Sequence, residues 1–105
     1  MLFDQGMTYK LFPIRVLYLP YEGLTHHQVL FTVPRRKFKK AVDRNRIKRQ
    51  MREAYRLHKH QISYSPSKDV RFLLAYVYIA DKKYPYPDIE SKIMVSINRL
   101  NKVKI

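Results

Sequence analysis

The sequence predicts an α+β fold, an α/β sandwich in which helices pack on a small, mainly antiparallel sheet. Three observations predict it. Short runs rich in β-branched and aromatic residues, at 13–19 and 28–33, are bounded by turn residues. Apolar spacing then switches to a helical period from about residue 40 to 59. Finally, the near-continuous apolar run "VRFLLAYVYIA" (70–80) precedes a second helical stretch. With 105 residues, 46% of them hydrophobic, the chain can build one core, and residues 1–105 are taken as a single domain.

The elements follow in order. "MLFDQG" (1–6) reads as the last turn of a helix, stopped by Gly6. "PIRVLYL" (13–19) is a strand carried by Ile14, Val16 and Tyr18. "PYEG" (20–23) signals a turn, and "QVLFTV" (28–33) is a second strand, open to antiparallel pairing with the first. Pro34 closes it. In the basic helix, Ile47, Met51, Ala54 and His58 share one stripe, flanked by Tyr55, and this stripe faces the sheet. His58 is expected as a packed core histidine. "QISYSPSKD" (61–69) is a polar loop. The run at 70–80 reads as a strand buried on both faces. After the loop "DKKYPYP" (81–87), Asp88 can cap a closing helix that repeats Ile89, Ile93, Ile97 and Leu100.

Charge is the second strong signal. There are 22 Lys and Arg against 8 Asp and Glu, a net charge of +14. Residues 35–59 hold twelve of those cations and only Asp43 and Glu53 as acids. Such a density repels itself unless a polyanion neutralises it, which makes nucleic acid the leading partner class. Cysteine is absent, so no disulfide or thiolate metal site is available. The longest apolar run is too short to span a bilayer, and the first ten residues lack the pattern of a secretory signal, so a cytoplasmic location and no membrane partner are expected.

The helix "AVDRNRIKRQMREAYR" (41–56) sorts its charges into strips. Ala41, Asn45, Lys48 and Arg52 follow i, i+4, i+7, i+11 and lie on one side, with Arg44 at the edge of the buried stripe. Arg46, Arg49, Glu53 and Arg56 form a neighbouring strip. Five Arg and one Lys favour bidentate phosphate contacts. Asn45 adds a donor and an acceptor that can read a sugar or base edge. An ordinary solvated face would alternate Glu with Lys, which this one does not.

This segment resembles the signature helix of the bacterial ribonuclease P protein subunit: an Ala-Val pair, then Arg-Asn-Arg, Lys-Arg and Arg at the same spacing. "VLFTVPRR" resembles that family's strand ending in two basic residues, and "LFDQG" with "FPIRVLYL" resembles the end of its first helix and its first strand. The resemblance covers most of residues 2–57. It implies a protein that assists a catalytic RNA in removing the 5′ leader of precursor tRNA. Hydrolysis and the Mg²⁺ ions would then belong mainly to the RNA, with no catalytic residue in the protein. It also implies a parallel strand pair joined by a left-handed crossover through the basic helix, an exception to the usual hand.

By the same resemblance, Ala41, Arg44, Asn45, Lys48 and Arg52 match positions that face the leader. Phe3 and Tyr18 match aromatics that stack single-stranded nucleotides, and Phe31 is a weaker match better explained by core packing. Arg46, Arg49 and Arg56, with Arg35 and Arg36, are assigned to the catalytic RNA. The partners implied are ribonuclease P RNA and precursor tRNA, without an obligate protein partner. Three features depart from the family pattern: the sequence starts where the family's first helix is nearly finished, leaving out a second aromatic of that helix; "RRKFKK" (35–40) runs one residue longer and lacks its Gly; and Asp43 stands where a neutral or basic residue is usual.

Other functions fit less well. The carboxylates are scattered and no nucleophile motif is present, which disfavours a protein enzyme. His26-His27 and His58-x-His60 diverge on a strand or helix, so no metal site is expected. A DNA-binding module would need a second helix in helix-turn-helix position, where a strand signal stands instead. A ribosomal protein shares the charge but is not separated from this reading by charge alone. A membrane-surface helix would need bulky apolar residues on its free face.

Overall fold

The strand with the most continuous apolar sequence lies inside the sheet, and the remaining elements arrange around it. A computed structural model describes residues 7–22, 28–61 and 70–101. In chain order these form β1 (Met7–Leu11), β2 (Ile14–Glu22), β3 (Gln28–Thr32), α1 (Ala41–His58), a 3-10 turn (Lys59–Gln61), β4 (Val70–Tyr78) and α2 (Tyr86–Leu100). The sheet order is β1-β2-β4-β3. β1 and β2 pair antiparallel, as do β2 and β4, whereas β3 runs parallel to β4. The expected first helix and Phe3 lie outside the described residues, as do Gly6 and the His26-His27 pair.

Four expectations change. β2 and β3 do not pair, because β4 inserts between them. A parallel pair requires a long crossover, and the stretch from β3 to β4, with α1 inside it, supplies one. β1 was not foreseen: Met7, Tyr9 and Leu11 alternate, but only five residues carry the signal, and its turn is the short Phe12-Pro13, a cis peptide. The turn signal at 20–23 does not end β2, which pairs with β4 through Glu22. Pairing with β1 stops at Tyr18, so Pro20 sits where one side of the strand has no described neighbour and a missing N–H is tolerated. Last, α2 starts at Tyr86 with Pro85 as its N-cap, which places Asp88 inside the first turn rather than at the cap. Pro87 has the fixed φ that suits a first turn.

Both helices pack on one face of the sheet. There Ile14 and Val16 meet Phe72, Leu74, Tyr76 and Tyr78 of β4, and these join Ile47, Met51, Ala54 and Tyr55 of α1 and Ile89, Ile93, Ile97 and Leu100 of α2 in one core. The 3.6-residue stripes of both helices are therefore the buried ones. On the other face of β4 Ala75 is buried, but Leu73 and Val77 are half-buried and Leu30 of β3 is 53% exposed, so burial there is partial. The core holds one polar pair. Ser96 Oγ donates to the Ile93 carbonyl at 2.6 Å and lies 2.8 Å from Tyr76 Oη, so the Tyr76 phenol is the donor between them.

Candidate nucleic-acid interface

α1 projects its cations because its apolar stripe is anchored. Ile47, Met51, Ala54 and Tyr55 are buried, which turns Asn45, Arg46, Arg49, Arg52 and Arg56 outward. Ala41 is exposed at the first helical position, and Arg44 and Lys48 are half-buried along the flank. His58 is not a core histidine; it is half-buried at the helix end, with Nε2 2.9 Å from Glu90 of α2.

The start of the helix is held by contacts that replace the flexibility of a glycine. The N–H groups of Lys37 and Phe38 donate to the Pro34 carbonyl, forming a turn that leaves Arg35 and Arg36 exposed. Phe38 is buried against Tyr78, and Lys37 Nζ donates to the Ile79 carbonyl at 2.6 Å. Arg44 Nη1 donates to the carbonyls of Phe38 and Lys39, both at 2.8 Å. Two of its five donors thus fasten the incoming chain, and three remain for an anion. No residue of this segment adopts a positive φ, so its backbone does not require a glycine.

The two acids of the helix are both engaged. Asp43 sits 2.8 Å from Lys83 Nζ, and that hydrogen bond holds its carboxyl below the ordinary carboxylate range. Glu53 pairs with Arg56 at 3.0 and 2.6 Å, which lowers the Glu53 pKa and raises that of Arg56. The second pair is exposed, and such pairs contribute little and exchange readily for a phosphate.

An aromatic cluster on the sheet lies against Arg52. The Arg52 guanidinium stands 5.7 Å over the Phe31 ring. Phe31 stacks on Tyr76 at 5.7 Å and 13°, and meets Tyr55 edge-on at 6.1 Å. Burial pushes the Tyr55 phenol up to about 12. Across the sheet, Val29, Leu74 and Tyr18 form the next row on the same face. Tyr18 is half-buried and packs edge-on against Phe72 and Tyr9. Arg52 of the helix and Phe31 of the sheet therefore meet directly, while Tyr18 lies one row away on β2, against Phe72 and Tyr9. Phe31 packs in the core and also offers a face to Arg52. Position counting on the sequence did not single out Arg52 over Phe31, because that pairing depends on the parallel β3–β4 register.

Among the described residues no group of three or more His, Cys, Asp or Glu could hold a metal, and no helix is long and apolar enough to cross a membrane.

Comparison with known proteins points one way. The family model described as Ribonuclease P matches residues 1–99. The ribonuclease P protein component of Porphyromonas gingivalis (strain W83) is 29% identical over 101 residues, covering 93% of this chain and 74% of that protein. That of Chlorobaculum tepidum is 48% identical over 58 residues, which span 50% of this chain and 38% of its own. Among solved structures, the protein from Thermotoga maritima superposes with a TM-score of 0.73 at 21% identity, covering 99% of this chain and 89% of the other. The one from Staphylococcus aureus gives 0.66 at 21% identity, with 99% and 85% covered.

Proposed function

The chain belongs to the ribonuclease P protein family, and from that premise we propose that the groove between α1 and the sheet binds the 5′ leader of precursor tRNA. As the protein component of ribonuclease P it takes part in 5′ maturation of tRNA, within an endoribonuclease holoenzyme and in association with ribonuclease P RNA. The observation that carries the leader assignment is the Arg52–Phe31 pair, 5.7 Å apart at the junction of basic helix and sheet. A single strand offers phosphates to cations and unstacked bases to rings, and this junction presents both. Ala41, Arg44, Asn45, Lys48 and Arg52 line the helix side, with Tyr18 on the sheet. Phe3 belongs to the same proposal by resemblance.

The outward strip of Arg46, Arg49 and Arg56, continued by exposed Arg35 and Arg36, docks on the catalytic RNA. Val42 lies in that strip and is 71% exposed, an apolar contact that charge counting overlooked. Hydrolysis and Mg²⁺ belong to the RNA. In support, Asp43, Glu53 and Glu90 each already face a cationic or histidine partner, and among the described residues no group of three or more acids or histidines could hold Mg²⁺. Residues 1–105 act as one RNA-binding domain in the cytoplasm, with precursor tRNA as second partner and no further protein required.

The test mixes the protein with a bacterial ribonuclease P RNA and labelled precursor tRNA at low Mg²⁺. Protein-dependent release of the 5′ leader is expected. Absence of stimulation, together with tight binding of duplex DNA, would replace this function with DNA binding.

A further inference from the structure

A second aromatic site lies at the turn between β1 and β2. Phe12, Pro13 and Tyr84 border a notch of about 270 Å³ whose remaining wall is Asp88, Ser91 and Lys92 of α2. Phe12 is 52% exposed, although it is a large apolar side chain in a tight turn. Its ring meets Tyr84 edge-on at 5.5 Å, and Lys82 Nζ stands 5.5 Å from the Tyr84 ring centroid. Backbone contacts fix both walls. The Ile79 N–H donates to the Pro13 carbonyl at 2.9 Å. Tyr78 Oη donates to the Lys82 carbonyl at 2.7 Å and accepts from the Tyr84 N–H at 3.1 Å. The notch is thus built before anything enters it.

We propose that this notch receives one unpaired nucleobase of ribonuclease P RNA, stacked on the exposed ring of Phe12. The proposal rests on the chain docking on that RNA. Charge and continuity favour RNA over an apolar partner. Lys82 and Lys92 flank the rings. The neighbouring Lys83 reaches Asp43 at the start of α1, and Lys37 of the basic turn reaches Ile79. These contacts hold the loop that borders the notch beside the basic turn that carries Arg35 and Arg36. Asp88 on its wall opposes a phosphate but accepts from the N–H groups of a base edge, so a base sits in the notch and its phosphates lie toward the lysines.

The leader groove is separate. Tyr18 lies four residues beyond Ile14 on β2, about 13 Å along the strand, and Phe31 lies on β3, which β4 separates from β2. Loss of one site leaves the other in place.

The experiment measures equilibrium binding of ribonuclease P RNA by wild type, Phe12→Ala, Phe12→Leu, Phe12→Trp and Lys92→Ala, with circular dichroism to establish folding. Reactivity of base edges is probed in each complex. Phe12→Ala is expected to bind about tenfold more weakly, the usual scale for one stacked base. Phe12→Trp should bind like wild type and Phe12→Leu should not. One unpaired nucleotide shielded by wild type should react again with Phe12→Ala. Lys92→Ala should lower the salt slope by about one, and it stands as the check should the Phe12 variants fold poorly. Wild-type affinity in Phe12→Ala, or full rescue by leucine, overturns the proposal. So does a dimer lost in Phe12→Ala with RNA binding intact, which would give the notch to a second copy of the chain. Failure of wild type to bind the RNA at all removes the docking reading as well, so the two failures are told apart.

Discussion

Arg44 and Arg52 are two arginines of one helix that do different work. Arg44 holds the carbonyls of Phe38 and Lys39 and so shapes the start of α1, while Arg52 makes no such bond among the described residues and stands over Phe31. Both were placed on the leader side by sequence, and only side-chain geometry separates an anchoring role from a presenting one. Lys48→Ala and Arg52→Ala are expected to weaken binding of leader-bearing precursor several-fold while changing mature tRNA little. Arg49→Ala, on the outward strip, should weaken ribonuclease P RNA instead, with a salt slope shallower by about one charge. Titrations of the three RNAs at several salt concentrations test this, and equal losses on precursor and mature tRNA would remove the leader assignment.

At the level of elements, β4 and α2 meet through the buried Tyr76–Ser96 pair, and its two members are not equivalent. Ser96 keeps its donation to Ile93 when the phenol is lost, so Tyr76→Phe should cost little. Ser96→Ala leaves a buried phenol without its acceptor and should cost about 1–3 kcal/mol, with the double variant recovering part of that loss. Denaturant unfolding of the three variants measures it; equal costs for the singles would contradict the donor assignment. The long elements were legible because fifteen or more residues repeat one period, as in α1 and α2. β1 was not, since five alternating residues beside a proline carry little signal. Strand partners were not legible either. Local pattern says that β2 and β3 are strands, and only competition for the apolar flanks of β4 decides that neither pairs with the other.

For the whole molecule, the same burial that organises the core sets its tolerance of alkali. Burial pushes the Tyr9 and Tyr55 phenols up from 10.0 to about 12, and it raises Tyr76 further; around Tyr9, Arg99 opposes the shift and Tyr18 adds to it. A phenol whose folded pKa is raised contributes stability that is complete below its unfolded pKa and is lost as pH rises through the folded value. Melting temperature should accordingly decline from about pH 10 toward 12, and Tyr55→Phe should blunt the decline. A decline unchanged in that variant would assign it to other groups. The sequence alone determined the fold class, the two buried helix stripes and the excess of cations on α1, because each depends on composition or on a local period. Tertiary structure decided that β4 separates β2 from β3, that Arg52 lies over Phe31, and that Phe12 and Tyr84 meet beside the β1–β2 turn. Those contacts join residues distant in the chain, and strand register and helix docking, which no local period encodes, bring them together.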